Sequence, residues 1–268
     1  MVDLASVQKP TVVYKYRNWK NLSNPLHDRV LFENELYIPS PDRFEDVKDC
    51  RNPTRYDLLT NEERLGWCRN FFRRLHPRFN DVAIDRMAKE WADMPHLTDK
   101  QWIDKVEQDA WKKYNEFTGI LSVTDELLSA PMWEKYGDLF RGICYGFDTM
   151  ALINDVSLKG GGLVHYADEL PIIHPLDEFP LMFFKCIYCK EKKWEFEEEY
   201  RFKTTDHHGN RVRKFQESTL VKVIFGHEMP KGYLDEAIGV LSGWQQKPTL
   251  FQTIRTADGL AAVEINYS

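Results

Sequence analysis

The chain has little of what marks several large protein classes. No apolar run reaches the length of a membrane span, and the longest candidate, Phe179-Pro-Leu-Met-Phe-Phe-Lys-Cys-Ile-Tyr188, is short and carries Lys185. The opening Met-Val-Asp-Leu-Ala-Ser lacks the basic start and apolar stretch of a secretory signal. Cysteines number 5, odd and scattered, which reads as reduced thiols and not as a disulfide framework. A cytoplasmic protein with no membrane partner is the expectation. Basic charge is also not in excess: 36 Lys and Arg against 42 Asp and Glu give a formal charge of -6. Bulk attraction to nucleic acid is thereby disfavoured, although a local basic patch is not.

Familiar chemical signatures are missing as well. Gly160-Gly-Gly162 does not have the spacing of a dinucleotide fingerprint and reads as a turn. There is no phosphate-binding Gly-x-x-x-x-Gly-Lys loop, and neither Ser40 nor Ser122 sits in a hydrolase motif. Cys186-Ile-Tyr-Cys189 has no second cysteine pair to complete a zinc site, so it reads as two buried or half-buried helix cysteines. The acids Asp42, Glu45, Asp46 and Asp49 lack calcium-loop spacing and are expected at a turn and helix start.

What is present is 268 residues with 43% hydrophobic, 29% charged and 13% aromatic content, enough for one sizeable core. β-branched and aromatic runs predict strands at Thr11–Arg17, Glu35–Ile38, Gly119–Thr124, Gly142–Asp148, Glu197–Thr204 and Leu220–Gly226. A turn and short helix are expected from Asn24. Three helices are expected in the middle: one capped by Thr60-Asn-Glu-Glu63, one carrying Ile84, Met87, Ala88 and Trp91, and one capped at Thr98. The third places Ile103, Val106, Ala110 and Phe117 on one face. Further helices are expected at Ser129–Tyr136, from Glu178 to about Lys192, and from Pro230 to Leu241. A hairpin is expected around Ala257-Asp-Gly259. The whole predicts one α+β domain over 1–268, with a mixed or antiparallel sheet core and a helical insertion at about 57–118.

The most informative segment is Trp194-Glu-Phe-Glu-Glu-Glu-Tyr-Arg-Phe202. As a strand from Phe196, it puts Glu197, Glu199 and Arg201 on one face. Partly buried, two such carboxylates repel and one gains a raised pKa. The pattern alone favours a blander arrangement, a solvated strand face with Glu–Arg pairing. Lys15-Tyr16-Arg17 is the second group: an arginine beside aromatics suits a phosphate, although pairing at a strand edge is commoner. Arg69, Arg73 and Arg74 with Phe71 and Phe72 form a basic helix surface that is more simply a solvated face.

The order of these motifs resembles a widespread, mostly prokaryotic group known as domain-of-unknown-function family 2971. The resemblance rests on Tyr14-Lys-Tyr-Arg17, Leu36-Tyr-Ile-Pro-Ser-Pro-Asp-Arg-Phe44, Gly119-Ile-Leu-Ser122 and Met132-Trp-Glu-Lys-Tyr136. It continues through Gly142-Ile-Cys-Tyr-Gly-Phe-Asp148, Val164-His-Tyr166 and Trp194-x-x-Glu197-x-Glu199-Tyr-Arg201. Phe44 is followed by Glu45-Asp-Val-Lys48, where that family tends to have Asn-Asp-Pro-Phe. The layout is also similar to that of ADP-ribosyltransferases, with an early-strand Arg, a middle Ser or aromatic and a late Glu-x-Glu strand.

That second resemblance implies an α+β split sheet and an enzyme that takes NAD as substrate and cleaves its nicotinamide–ribose bond, passing the sugar to a protein or nucleic-acid acceptor. A toxin or phage-defence effector would fit. Under it Glu199 stabilises the developing cation, Glu197 orients or deprotonates the acceptor, Arg17 holds a phosphate or ribose, and Tyr136 stacks on nicotinamide. Tyr16, Ser40 and Arg201 are further candidates for contact with NAD, and no metal is required. A non-catalytic protein- or nucleic-acid-binding module is the alternative. It expects a flat, open surface near Glu197 and Glu199, with Arg201 paired to one of them. A metal-dependent nuclease using Asp46, Asp49 and the late glutamates is a third reading.

Overall fold

A computed structural model describes residues 9–20, 28–94, 99–205 and 210–267. The expected turn from Asn24 and the Thr98 cap fall outside the described residues. In chain order the elements are β1 (Val12–Arg17), α1 (Arg29–Phe32), β2 (Glu35–Tyr37), α2 (Asn61–Leu75), α3 (Asp81–Ala92), α4 (Lys100–Phe117) and β3 (Thr118–Thr124). Then come α5 (Ala130–Lys135), β4 (Ile143–Asp148), α6 (Thr149–Asp155), β5 (Lys159–Leu163), β6 (His165–Ala167), α7 (Phe179–Ile187) and β7 (Cys189–Glu191). A tight turn, Lys192–Glu197, leads to β8 (Glu199–Thr205), β9 (Val212–Lys214), β10 (Leu220–Phe225), α8 (Lys231–Ser242), β11 (Thr249–Thr256) and β12 (Gly259–Ile265). The protein is α+β. Among the described residues, no helix is long and apolar enough to cross a membrane.

Eight strands form a mixed sheet in the order β12-β11-β10-β4-β1-β3-β8-β5. β10 and β11 run parallel, and the other neighbours are antiparallel. β1 pairs with β4 along its whole length, Val12 opposite Asp148 through Arg17 opposite Ile143. With β3 it pairs at one position, Tyr14 opposite Thr124. Beyond that point the two strands part. The gap at the start of β3 is taken up by the segment after β2, where Ile120 N–H donates to the Pro39 carbonyl at 2.9 Å.

Alternation sorts the core. Val13, Leu121, Val123, Tyr145, Phe147, Tyr200, Phe202, Val223 and Phe225 share one face and bury against α6 and α8 residues such as Leu152, Ala237 and Leu241. On the other face Tyr14, Tyr16, Cys144 and Ile224 pack on Met132 and Trp133 of α5. The helices α2 and α3 have a small core of their own, with Cys68, Phe72, Ile84 and Ala88 at its centre and Trp67, Phe71 and Trp91 around it. The Thr60 capping box forms in full: Glu63 N–H donates to Thr60 Oγ1, and Thr60 N–H donates to the Glu63 carboxylate.

Several local expectations give way to packing. The Gly160–Gly162 run is not a turn; it lies in β5 at the sheet edge. A Cβ on Gly161 would meet the Phe202 and Tyr200 rings at 2.8–2.9 Å, so glycine lets β5 run under those rings. Helix α7 stops at Ile187, because the chain turns at once into β7. Cys186 is therefore helical and half-buried, while Cys189 is a buried strand residue. On α4 Ala110 and Phe117 face solvent. Its packed side carries Trp111, Tyr114 and Asn115, since Asn115 is drawn in to accept the Asp42 N–H. Arg69 and Arg73 pair with Asp85 and Asp81 on a solvated helix face.

Candidate functional site

Where β1 and β3 part, a cavity of about 490 Å³ opens, within the roughly 300–1,000 Å³ typical of ligand sites. Its wall includes Lys15 and Arg17 of β1, Ser122 of β3, Tyr136 after α5, Lys190 of β7, Glu197 of the turn and Glu199 of β8. By alternation Lys15 and Arg17 belong to the sheet face opposite Tyr14 and Tyr16. All four line the same cavity because the sheet is open at this seam.

The charged groups form a buried network. Arg201 is 1% exposed and holds two carboxylates at once. Its Nε and Nη2 donate to the Glu199 carboxylate at 2.7 and 2.8 Å, and its Nη1 and Nη2 donate to Asp49 at 2.8 and 2.6 Å. Nη1 also donates to the Ile187 carbonyl at 2.6 Å. Lys190 Nζ lies 2.5 Å from Glu197, 3.4 Å from Glu199 and 3.5 Å from Asp49. Tyr136 donates its hydroxyl to the other Glu197 oxygen at 2.6 Å. The Glu199 N–H donates to Tyr166 Oη at 2.9 Å.

The two glutamates are driven apart in protonation. Burial works to raise the Glu199 pKa, but the Arg201 and Lys190 charges, aided by hydrogen bonds from Arg201 and Ser122, hold it far below the usual carboxylate range. Burial and the neighbouring Glu199 charge push Glu197 up, against the opposing pull of Lys190 and Tyr136. Tyr136 is raised by burial and by Glu197. The surroundings thus favour the ionised form of Glu199, which Arg201 also fixes in place, and favour the proton on Glu197, so the two carboxylates suit different tasks.

The lysines differ in the same way. Burial works to lower Lys190, yet Glu199, Glu197 and Asp49 raise it above its ordinary value. Lys15 is pushed well below its ordinary value by burial and by Arg17, and Glu199 and Glu197 offset this only in part. Arg17 is pushed down to about 10 by burial. Among the described residues neither Lys15 nor Arg17 makes an ion pair. Lys15 Nζ donates to the Ser122 carbonyl at 2.5 Å and Arg17 Nη1 to the Tyr16 carbonyl at 3.4 Å.

The loop after β2 closes one side with Arg43, Phe44 and Asp46. It begins as the expected turn, Pro41–Arg43, and its acids pair with cations more than with helix ends. Glu45 pairs with Lys135 at 2.7 Å, and Asp46 accepts the Trp194 indole N–H at 2.7 Å. Among the described residues no group of three His, Cys, Asp or Glu side chains is placed to hold a metal ion.

Of the residues singled out from the sequence, Tyr16, Arg17, Tyr136, Glu197 and Glu199 meet in this cavity. Tyr16 commits its hydroxyl to the Glu126 carbonyl at 2.8 Å. Ser40 is not among the wall residues and donates to Asp42. Arg201 lies behind the wall as the clamp on Glu199 and Asp49. Glu197, Glu199 and Arg201 do converge, but not on a solvated strand face. Glu197 precedes the strand, and Glu198, left-handed at φ 41°, joins the turn to β8. Lys190 was missed, Lys15 was noted only as a neighbour of Arg17, and Asp49 only as an acid of the metal-dependent reading and not as a partner of Arg201. The available signal was a lone lysine inside an apolar run, as in Val-Val-Tyr-Lys15-Tyr and Ile-Tyr-Cys-Lys190. No family model, curated protein or solved structure matches this chain.

Proposed function

We propose that the protein is an ADP-ribosyltransferase-like enzyme that takes NAD as substrate and cleaves the nicotinamide–ribose bond. The observation that carries this reading is the meeting of Arg17, Tyr136, Glu197 and Glu199, from three separate stretches of chain, in one cavity at a split in the sheet. The residues fit such a substrate. Arg17, a cation without a carboxylate partner among the described residues, suits a phosphate, and the Lys15 amine beside it adds an N–H donor. Phe44, Tyr136 and Trp194 offer aromatic surface for a flat, positively charged ring.

Departure of nicotinamide takes the bonding electron pair and leaves positive charge developing at the ribose carbon. Glu199, ionised and held rigid by Arg201, presents negative charge without having to reorganise. Glu197 is the proton acceptor for the incoming nucleophile, a protein or nucleic-acid group or water. Tyr136 and Lys190 each hold one of its oxygens and fix its direction. Arg201 acts through Glu199 and is a positioning residue.

The non-catalytic alternative shares one feature, the pairing of Arg201 with Glu199. The walled cavity beside that pair supports the catalytic reading over it. The test is nicotinamide release from NAD by the purified chain. Glu199→Gln is expected to cost about 10²–10³ in turnover. Activity of the unchanged protein is expected to rise with pH as Glu197 ionises, with a midpoint above the ordinary glutamate value of about 4.3. A folded protein that neither binds nor cleaves NAD, or a Glu199→Gln variant with full turnover, overturns the proposal.

A further inference from the structure

Two lysines line the cavity, and their surroundings give them opposite characters. Lys190 is ringed by Glu197, Glu199 and Asp49, each within 3.5 Å, and stays an ammonium ion. Lys15 has no carboxylate within ion-pair distance among the described residues. Its amine donates one hydrogen bond to a main-chain carbonyl, that of Ser122, which the parted β1 and β3 ladder leaves free of β1. A neutral amine satisfies that bond with one N–H and keeps its lone pair. The groups facing it are Arg17 on its own strand, Glu199 on β8, Glu197 on the turn and Lys190 on β7, and their net effect with burial is to disfavour the proton. A desolvated lysine beside other cations is the arrangement that makes an amine nucleophilic at neutral pH. Lys15 is half-buried, not sealed, and lines the open cavity. Arg17, two residues along the strand and roughly 6.5–7 Å away, has no carboxylate partner either.

We propose that Lys15 is a nucleophilic amine that captures the carbonyl carbon of a phosphorylated aldose as a Schiff base, with Arg17 holding the phosphate. The Nζ lone pair bonds to the aldehyde carbon while the carbonyl π pair moves to oxygen, giving a carbinolamine after proton transfer. Loss of water then forms the carbon–nitrogen double bond. The oxygen leaves with the two hydrogens of the amine, so no oxidant or further reactant is needed. This activity shares the cavity with the proposed glycosyl transfer but does not depend on it, because no nicotinamide is involved.

The test treats the full chain with ribose 5-phosphate and sodium cyanoborohydride at pH 7, which reduces any imine to a stable amine. Modified lysines are then located by peptide mass spectrometry over time. Each unit by which an amine's pKa falls multiplies its neutral fraction at pH 7 about tenfold. Lys15 is therefore expected to be modified at least about tenfold faster than exposed Lys112 and Lys113, and Lys190 more slowly than Lys15. Lys15→Met removes that adduct and leaves the slow surface pattern unchanged. Arg17→Gln removes a charge that keeps Lys15 neutral and so slows both sugars, but it slows capture of ribose 5-phosphate more than that of unphosphorylated ribose. Modification of Lys15 no faster than of Lys112 and Lys113 in the unaltered protein overturns the proposal, whatever the fate of the variants. Equal slowing of both sugars by Arg17→Gln overturns the phosphate assignment. NAD turnover, measured separately, bears on neither result.

Discussion

Replacing Arg201 with methionine keeps the volume of the side chain and removes its charge. Arg201 holds Glu199 and Asp49 through four charge-assisted bonds of 2.6–2.8 Å, in a place where water does not reach. The variant leaves two buried carboxylates to the single ammonium of Lys190, which already serves Glu197. Breaking one partner from a buried pair costs about 3–5 kcal/mol. At roughly 2–4 °C per kcal/mol for a chain near this size, the melting temperature at pH 7 should fall by about 6–20 °C. The pH dependence separates an ionic clamp from simple loss of packing. In the unaltered protein Glu199 has a folded-state pKa below its unfolded value of about 4.3. Its contribution is thus fully present above about pH 4.3 and is lost only progressively as pH falls from there through the much lower folded-state value. In the variant burial dominates and Glu199 titrates above that value, so protonation relieves the strain as pH falls. The gap in melting temperature should be widest at neutral pH and clearly narrower at pH 4. Calorimetric melts at pH 7 and pH 4 make the measurement. A gap under about 4 °C at neutral pH, or one of the same size at both pH values, refutes the reasoning.

Thr60→Ala removes one half of the α2 capping box and should cost about 0.5–2 kcal/mol, read as faster amide exchange in the first turn of α2. Gly226→Ala would place a Cβ 1.9 Å from the Phe140 carbonyl oxygen, so the β10 end must shift. A melting temperature equal to that of the parent would show that the contact is easily relieved. Burial raises the thiols of Cys50 and Cys144 well above the ordinary value and those of Cys186 and Cys189 to about 11. Little thiolate then exists at pH 7.5, and these four cysteines should react with a thiol reagent only on unfolding; rapid native-state labelling of Cys50 or Cys144 would contradict their burial.

Much of the architecture could be read from local pattern. Val12–Arg17, Ile143–Asp148 and Leu220–Phe225 are strands because β-branched and aromatic residues dominate them. Helices α2 and α3 start where Thr60 and Asn80 cap them. The candidate site was legible in part, since alternation already brought Glu197, Glu199 and Arg201 together. The charge of the site was not. Asp49 completes the Arg201 clamp from 152 residues away, and Lys190 reaches Glu197 across a turn. Such pairings follow from how layers stack, which no local period encodes. The strand was expected to begin at Phe196, but Asp46 captures the indole of Trp194 and Phe196 packs beside Tyr14 and Trp133, which favours the turn. Gly161 misled for the opposite reason: its small size makes room for the rings of a neighbouring strand and not for a bend.

The single register pair between β1 and β3 divides the sheet into two leaves, one of five strands and one of three. Each leaf is a hydrogen-bonded ladder, with one register shift in each, at Leu220–Lys222 and at Lys159–Gly161. They are joined in front by Tyr14 opposite Thr124 and by the Lys15–Ser122 bond, and behind by the core, where Val13 of one leaf packs with Leu121, Val123 and Phe202 of the other. A small rotation of one leaf against the other changes the width of the crevice without breaking a rung in either. The aperture of this protein is therefore a mechanical variable largely separate from the stability of its fold. Any molecule that bridges Lys15 or Arg17 on one leaf and Glu199 on the other acts as a brace across a hinge.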